Sequence, residues 1–269
     1  MGPEKLSKCQ KISYNKMNTK LITTSCSQPI PTIKRQIYDS SICPECTGKG
    51  VTICYVSSGV PITNSVKNIT AFDVMTDNKE DLPDDEMGHS SILAGFATSS
   101  HKQLQGIAPD VKLMFAKSFH KKNNTTLSSI IAAILWGIVK DANIIVLPIT
   151  IKTDFMPLKN SIEKAISQNI LIVTDYDNYF PSKYEGVLSF ASSKKTTKTI
   201  EVTSIKNNKI LLSLPKIEYY TLYNNNTFVS VNTKTASLSL GTGILARIIE
   251  SLNKNKIKIT PETIIKKLN

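Results

Sequence analysis

Several short, continuous apolar segments rich in β-branched residues recur along this chain and constrain its fold more than any other feature. The clearest lie at residues 51–56, 144–148, 170–174 and 187–191, with further candidates at 69–73 and 111–116. Strands that are apolar throughout are typical of a parallel sheet, because both faces of such a sheet are covered by helices. Segments with helical spacing separate these strands. The pattern therefore predicts an α/β fold with a mostly parallel central sheet.

The remaining segments complete this picture of one domain. Helices are predicted at residues 126–140, 156–168 and 237–252, the first of them fully buried because it contains the apolar run Ile130–Val139. Residues 199–231 alternate β-branched residues with Asn and Lys turns, which predicts hairpins or irregular strands. Thr260 followed by Pro261 predicts the start of a closing helix. We expect a polar N-terminal arm over residues 1–33 and a single domain over 34–269.

Composition and charge exclude several function classes. The formal net charge is +12, but the only arginines are Arg35 and Arg247 and the lysines are scattered. Nucleic-acid readout favours arginine and a recognisable binding motif, so a nucleic-acid partner is not expected. The longest apolar run, Ile130–Val139, is roughly half a membrane span. No secretory signal is visible at the start. We expect a cytoplasmic protein without a membrane partner.

The cysteines are five in number, at Cys9, Cys26, Cys43, Cys46 and Cys54. An odd number without a visible signal favours reduced thiols. Cys43-Pro44-Glu45-Cys46 has the spacing of half a zinc knuckle or of a redox pair. A four-ligand zinc site would need Cys9 or Cys26 to fold back onto this pair. We expect two loop cysteines here, and no metal or cofactor.

One polar residue stands out in the segment Gly88–Ala97. His89 lies between an acidic loop, residues 81–86, and an apolar segment with helical spacing. A histidine at the start of a helix is often mounted as an acid or base because its pKa lies near neutrality. A lone histidine beside a loop is more often structural, so other motifs must decide its role.

The order of those motifs resembles the subtilisin-like serine proteases (subtilases) over about residues 36–269. Gly48–Gly59 resembles the strand that delivers the family's aspartate, and Gly88–Gly95 its Gly-His-Gly-Thr-His-Val-Ala-Gly helix. Gly106–Lys117 resembles its Gly-Val-Ala-Pro turn and next strand, and Ile170–Asn178 resembles the strand that ends in Gly-Asn. Lys183–Ala191 resembles the segment after that strand. Asn232–Gly243 resembles the nucleophile helix, and Ile259–Glu262 resembles the closing helix. The resemblance implies a three-layer α/β/α subtilisin-like fold.

The same resemblance implies a degraded catalytic triad. His89 matches the base, and Asn178 matches the oxyanion donor, although Asp177 replaces the glycine before it. Ser57 falls where the aspartate belongs, and Thr235 falls where the serine nucleophile belongs. A shift of two residues would instead offer Ser237, at the cost of the matches at the ends of that motif.

A further departure concerns the strand that pairs with substrate in the family. It normally reads Ser-Leu-Gly-Gly, and here it is Pro148–Ile151. Losing both glycines predicts a crowded peptide channel.

Three functional hypotheses follow. The first is a pseudoprotease that acts as an intracellular module binding a peptide or protein partner. The second is an atypical serine/threonine-type endopeptidase that uses His89 with Thr235 or Ser237. The third is a basic nucleic-acid-binding protein on a protease-like scaffold, which the scattered lysines disfavour.

Overall fold

A computed structural model describes residues 12–14, 19–21, 43–74, 76, 84–85, 87–101, 104–119, 125–192, 201–205, 209–213, 219–223, 227–231 and 233–268. Most of the predicted arm, most of the acidic loop and the turns at 206–208 and 224–226 lie outside these residues. Strands β1–β15 are Ile12–Tyr14, Thr19–Leu21, Thr52–Ser57, Ile69–Asp73, Ser100–His101, Leu104–Gln105, Lys112–Lys117, Ile144–Leu147, Ile149–Ile151, Leu171–Asp175, Leu188–Ser192, Glu201–Ile205, Lys209–Ser213, Tyr219–Tyr223 and Thr227–Val231. Helices α1–α5 are His89–Thr98, Leu127–Val139, Met156–Ser167, Thr233–Lys254 and Pro261–Leu268.

The central sheet contains eight of the described strands, in the order β12-β13-β11-β10-β8-β3-β7-β4. Every neighbouring pair is parallel except β12 with β13 at one edge. This confirms the predicted α/β fold with a mostly parallel sheet. The predicted hairpins are also present, as the antiparallel pairs β12–β13 and β14–β15.

Helices cover the two faces of this sheet and divide the core into two clusters. On one face, α1 and α4 pack with Tyr55, Phe115 and Phe190 from the strands. On the other, α2 and α3 pack with Cys54, Met114 and Ile145. Alternate residues of β3, β7, β8 and β10 face opposite clusters, as the twofold period of a strand requires. The α1/α4 face carries the residues predicted to form the site.

The prediction of a fully buried second helix is wrong. Ile130, Ile134 and Ile138 of α2 are buried, but Val139 is 75% exposed and Leu135 37% exposed. Because α2 forms an outer layer, only the side that meets the sheet is covered. Among the described residues, no helix has both the length and the apolar character needed to cross a membrane.

Candidate functional site

Ser57 ends β3 at the carboxyl edge of the parallel strands, where active sites of α/β sheets lie. Its side chain is fully buried, and the hydroxyl of Ser90 donates a hydrogen bond of 2.9 Å to its Oγ. Ser90 stands where the family motif has glycine. Two departures from the family pattern, at 57 and at 90, therefore contact each other directly.

His89 is the first residue of α1 and is buried, with 3% of its surface exposed. Burial lowers its pKa well below the ordinary value, which keeps the imidazole neutral. Gly88 before it has φ 71° and lies under the ring of Tyr223, which a Cβ atom would meet at 1.8 Å. Only glycine fits both this backbone conformation and this contact. His89 is thus buried at a helix start that the ring of Tyr223 covers.

Asp85 is a buried carboxylate at this site that the sequence did not single out. One oxygen accepts hydrogen bonds from the Ser58 hydroxyl (2.6 Å) and the His89 backbone N–H (3.2 Å). The other accepts from the Ser91 N–H (2.9 Å) and hydroxyl (3.0 Å). Burial raises the pKa of Asp85, and the bonds from Ser58 and Ser91 oppose that rise. An aspartate just before a helix start was the available signal, because such residues cap helix N-termini.

The packing of α4 against α1 places the two nucleophile candidates. The Ser239 hydroxyl donates to the carbonyl oxygen of Leu93, and Gly243 lies against Ala97. A step of four residues along α4 therefore matches a step of four residues along α1, which is about one helical turn. If this spacing continues one turn earlier, the backbone of Thr235 is expected at the level of His89. The side chain of Thr235 lies outside the described residues.

Ser237 occupies a different side of the same helix. It is buried and lies one turn before Gly241, where an added Cβ would meet the ring of Phe190 at 2.4 Å. That side of α4 faces strand β11, not α1. Helix periodicity therefore associates Thr235 with His89 more closely than Ser237.

Asn178 lies in the loop after β10, and its side chain is exposed. Its neighbour Asp177 is held in place: one carboxylate oxygen accepts from the Thr150 hydroxyl and the other from the Tyr179 N–H at 2.8 Å. Asp177 thereby ties this loop to β9. Asn178 is not drawn into the buried network around Ser57 and Asp85.

Strand β9 covers three of the four residues predicted to pair with substrate. Ile151 is fully buried in the core, so this side chain does not crowd a channel. Thr150 faces the other way, towards Asp177. The backbone of β9 also pairs antiparallel with β1, with Ser13 opposite Thr150. The edge of β9 is therefore paired with a segment of the chain itself.

The expectation of reduced loop cysteines is wrong for one pair, because Cys43 and Cys46 are joined in a disulfide. Together with Glu45 they offer ligand atoms within 4.8 Å of one another, but the disulfide removes both sulfurs from metal coordination. Cys54 is a buried free cysteine, and burial raises the pKa of its thiol. This loop lies at the amino end of β3, opposite the edge that carries Ser57.

Chemically, the site offers a neutral imidazole, a pair of hydroxyls at 57 and 90, and a carboxylate bonded to four donors. A neutral imidazole can accept a proton. A serine at position 57 brings no negative charge to stabilise the resulting imidazolium, and Asp85 contacts His89 through its backbone N–H. A histidine thus stands at the position of the base in the family motif, and a serine stands at the position of its acid.

The chain is similar in sequence to several curated proteases. It is 23% identical over 160 residues to Subtilisin DY of Bacillus licheniformis, covering 55% of this chain and 58% of that one. It is 28% identical over 180 residues to Serine protease AprX of Bacillus subtilis (strain 168), covering 60% and 40% respectively. A third relative, Minor extracellular protease Epr of the same strain, is 20% identical over 193 residues, covering 68% and 30%. The matches span between 30% and 58% of these relatives' lengths.

Solved structures show the same fold. Fervidolysin from Fervidobacterium pennivorans, a keratinolytic enzyme, superposes with a TM-score of 0.69 at 12% identity, covering 95% of this chain and 51% of that one. The prenylagaramide maturation protease PagA gives 0.62 at 16% identity, covering 79% and 80%. A cold-adapted subtilisin-like proteinase gives 0.63 at 16%, covering 82% and 81%. The sequence profile of the subtilase family matches residues 48–264, and the chain belongs to that family.

Proposed function

We propose that this chain is a catalytically degenerate subtilase that binds an extended peptide or protein segment and does not act as an ordinary protease. The observation that carries the proposal is the buried Ser57–Ser90 hydrogen bond at the place of the family's aspartate. A carboxylate at 57 would have to displace the Ser90 hydroxyl. The serines at 57 and 90 thus stabilise each other through this hydrogen bond. The site is therefore self-consistent without an acid at position 57.

The expected losses in kcat favour the pseudoprotease proposal over residual proteolysis. In active serine proteases, including subtilases, neutralising the triad acid lowers kcat by roughly 10⁴ and losing the nucleophile lowers it by roughly 10⁶. Thr235 would bring an extra methyl group into a site shaped for serine. Burial lowers the pKa of His89, which makes proton uptake by the imidazole harder.

Support for peptide binding comes from the edge of β9. An extended segment adds to an exposed strand edge through backbone hydrogen bonds, which is a general mode of peptide recognition. Strand β1 is such a segment, aligned with β9 over three residue pairs. The backbone groups at the edge of β9 can therefore pair with an extended segment. Such pairing needs no catalytic group, so binding can be retained where cleavage is lost.

A second candidate is an atypical endopeptidase that uses His89 with Thr235 or Ser237 and takes Asn178 as its oxyanion donor. The observation that favours it is the contact of Ser239 with Leu93 and of Gly243 with Ala97, from which helix periodicity predicts that the backbone of Thr235 lies at the level of His89. Asp85 would then be the nearest carboxylate bonded to the His89 segment.

A fluorophosphonate probe followed by intact-mass analysis tests the two candidates. We expect no adduct on the wild-type chain, and we expect labelling of a Ser57→Asp, Ser90→Gly, Thr235→Ser variant that restores the family residues. A stoichiometric adduct on the wild type that disappears in Thr235→Val or Ser237→Ala would overturn the pseudoprotease proposal. The restored variant shows that the probe reaches the site.

The proposal includes a cytoplasmic location and a protein or peptide partner, with no membrane or nucleic-acid role. The Cys43–Cys46 disulfide argues against a reducing compartment, because such bonds are rare in the cytosol. Trapping thiols with an alkylating reagent during cell lysis decides this point: a reduced pair in the cell favours the cytoplasm, and an oxidised pair favours an exported protein.

A further inference from the structure

The loop of residues 43–46, before β3, gathers three side chains whose atoms can bind a metal ion. The Glu45 carboxylate oxygen Oε1 lies 2.9 Å from the sulfur of Cys43 and 3.8 Å from the sulfur of Cys46. Cys43 is half-buried, Glu45 is exposed and Cys46 is buried, so the group is open to solvent on one side only. The loop lies at the amino end of β3 and is therefore separate from the candidate site at Ser57.

The disulfide between the two cysteines determines whether this group is available to a metal ion. A dithiol reductant opens the disulfide in two steps. Its thiolate attacks the more accessible sulfur, that of Cys43, so that a mixed disulfide forms and Cys46 leaves as a thiolate. The second thiolate of the reductant then attacks the reductant sulfur of the mixed disulfide, and Cys43 leaves as a thiolate. Two electrons have passed to the chain, and the reductant has become a disulfide.

We propose that the loop of residues 43–46 is a redox-controlled site for a thiophilic divalent cation such as Zn²⁺. Cys43, Glu45 and Cys46 are its three ligands, and water takes the fourth position on the solvent side. Zinc is bound tetrahedrally by thiolates, imidazoles and carboxylates, whereas Ca²⁺ and Mg²⁺ prefer oxygen ligands alone. Each thiol loses its proton when it binds the ion, so one cation replaces two protons. The inference does not depend on the proposed peptide binding.

Helix α4 holds the backbone of this loop in place. Arg247 donates hydrogen bonds to the carbonyl oxygens of Cys43 (2.7 Å) and Pro44 (2.8 Å). The N–H of Cys46 donates to the carbonyl oxygen of Cys43 at 3.0 Å, and Glu250 accepts from the N–H groups of the three residues that follow Cys46. None of these bonds uses a ligand atom. The positions of the three side chains are therefore supported in the oxidised and the reduced loop alike.

Charge favours a divalent cation at this site. Two thiolates and the Glu45 carboxylate place three negative charges within 4.8 Å of one another, and charges of the same sign repel strongly at such distances. A divalent ion reduces their sum to one negative charge. Arg247 is 5% exposed and brings one positive charge to the loop, while Glu250 is already paired with Lys254. The reduced loop, the ion and the guanidinium together are then neutral.

Metal binding by the full chain in its two redox states tests the inference. The probe is Zn²⁺ in competition with a chromophoric chelator, and Co²⁺ serves as a spectroscopic substitute because its bonds to thiolates absorb in the near ultraviolet. We expect the chain reduced with a phosphine to bind one equivalent of Zn²⁺ and the oxidised chain to bind none. We expect excess Ca²⁺ to leave the Zn²⁺ affinity unchanged, because thiolates are poor ligands for it.

Three substitutions test the ligands one at a time. Cys46→Ser is expected to lower the Zn²⁺ affinity of the reduced chain by about 100-fold or more and to weaken the Co²⁺–thiolate absorption. Cys43→Ser gives the same test at a half-buried position, where the substitution perturbs packing less. Glu45→Gln should lower the affinity by about tenfold or more and leave the thiolate absorption in place. Glu185→Gln, an exposed carboxylate outside the loop, is the control and should change neither.

A double variant, Cys9→Ser with Cys26→Ser, decides whether other cysteines complete the site. Unchanged affinity in this variant supports the three ligands named above, and loss of binding would overturn them. Equal Zn²⁺ binding by the oxidised and reduced chains, or unchanged affinity in both Cys46→Ser and Glu45→Gln, would overturn the site itself. None of these outcomes bears on labelling by the fluorophosphonate probe, so failure of the metal site leaves the proposed function standing.

Discussion

At the scale of single residues, Asp85 organises the start of α1 more than any other side chain. Four donors from three residues converge on its two oxygens: the hydroxyls of Ser58 and Ser91 and the backbone N–H groups of His89 and Ser91. Two of these donors are N–H groups of the first helical turn, which have no partner within the helix. The carboxylate thus joins β3, the acidic loop and α1 into one buried network beside His89.

Replacing this carboxylate gives the first structural prediction. Asp85→Asn turns one acceptor oxygen into a donor facing buried donors, so we expect the free energy of unfolding to fall by about 2–4 kcal/mol. Asp84→Asn is the matched control, because the Asp84 side chain is exposed, and the Lys117 ammonium donates to its backbone oxygen at 3.3 Å, which the substitution leaves in place. We expect the control to change stability by less than about 0.5 kcal/mol. Urea unfolding at pH 7 measures both, and equal losses would contradict a central role for Asp85.

Ser57 and Ser90 show what the sequence could and could not reveal at this scale. Each departs from a family motif, and each departure was visible from alignment of the motif letters alone. Their contact was not, because 33 positions separate them and only the packing of α1 against β3 brings the hydroxyls to 2.9 Å. Asp85 was missed for a related reason. A charged residue in an acidic loop is usually solvated, and only burial reveals its role as a cap.

At the scale of elements, the predictions succeeded where hydrophobic periodicity was strong. Strands β3, β4, β7, β8, β10 and β11 and helices α2 and α3 lie within one or two residues of their predicted positions. Strand β9 was indicated only by the family resemblance, as Pro148–Ile151, because Pro148 ends the apolar run of β8 and a three-residue strand leaves no periodic signal. Helix α4 starts at Thr233, four residues before the predicted start, because its first turn is polar. The pairing of β1 with β9 and of β2 with β15 leaves no local sequence signal, because the paired strands lie far apart in the chain.

Helix α4 also anchors the loop that precedes β3, through charged side chains in its second half. Glu250 accepts hydrogen bonds from the backbone N–H groups of Thr47 (2.7 Å), Gly48 (2.8 Å) and Lys49 (3.1 Å) and pairs with Lys254 at 2.7 Å. Arg247 donates to the carbonyl oxygens of Cys43 and Pro44. Burial alone would raise the pKa of Glu250, but the hydrogen bonds from Lys254 and the backbone outweigh it and lower the pKa.

This anchor yields a prediction with a pH signature. Glu250→Gln removes the charge that three N–H groups and an ammonium contact, and we expect unfolding free energy at pH 7 to fall by about 1.5–3 kcal/mol. Because the folded-state pKa is lowered, this contribution is present above the unfolded value near 4.5 and is lost as the pH falls through the folded pKa. The variant and the wild type should therefore converge in stability towards acid pH.

Glu163→Gln is the control for that experiment. Glu163 forms an exposed pair with Lys159 at 3.8 Å, and such surface pairs contribute about 0–1 kcal/mol. We expect its loss to be small and the variant to keep the pH dependence of the wild type. A loss in Glu250→Gln that stays constant from pH 7 to pH 3 would show that Glu250 acts without its charge.

At the scale of the whole molecule, one sheet is shared by two separate apolar clusters. Strands β3, β7, β8 and β10 contribute alternate side chains to both, so β3 sends Ile53 and Tyr55 to the α1/α4 side and Cys54 and Val56 to the α2/α3 side. If either cluster lost its helices, the strand side chains on that face would be exposed to water. Those side chains belong to the same strands that support the other cluster. This coupling favours the single domain predicted for residues 34–269, with the candidate site at the edge of one cluster.

The last prediction tests that coupling. Leu93→Ala in α1 and Ile134→Ala in α2 each remove a fully packed side chain, 1% and 0% exposed, from opposite faces of the sheet. Each is expected to lower the free energy of unfolding by about 2–5 kcal/mol. Trp136, the only tryptophan, lies on α2 and stacks on Phe72 with ring centroids 5.8 Å apart, so its fluorescence reports one face while far-ultraviolet circular dichroism reports the whole chain. Because both faces share the strands, we expect the two signals to give coincident urea transitions in both variants. A Leu93→Ala protein that loses helical signal before its tryptophan signal changes would show instead that the site-bearing face unfolds as a separate unit.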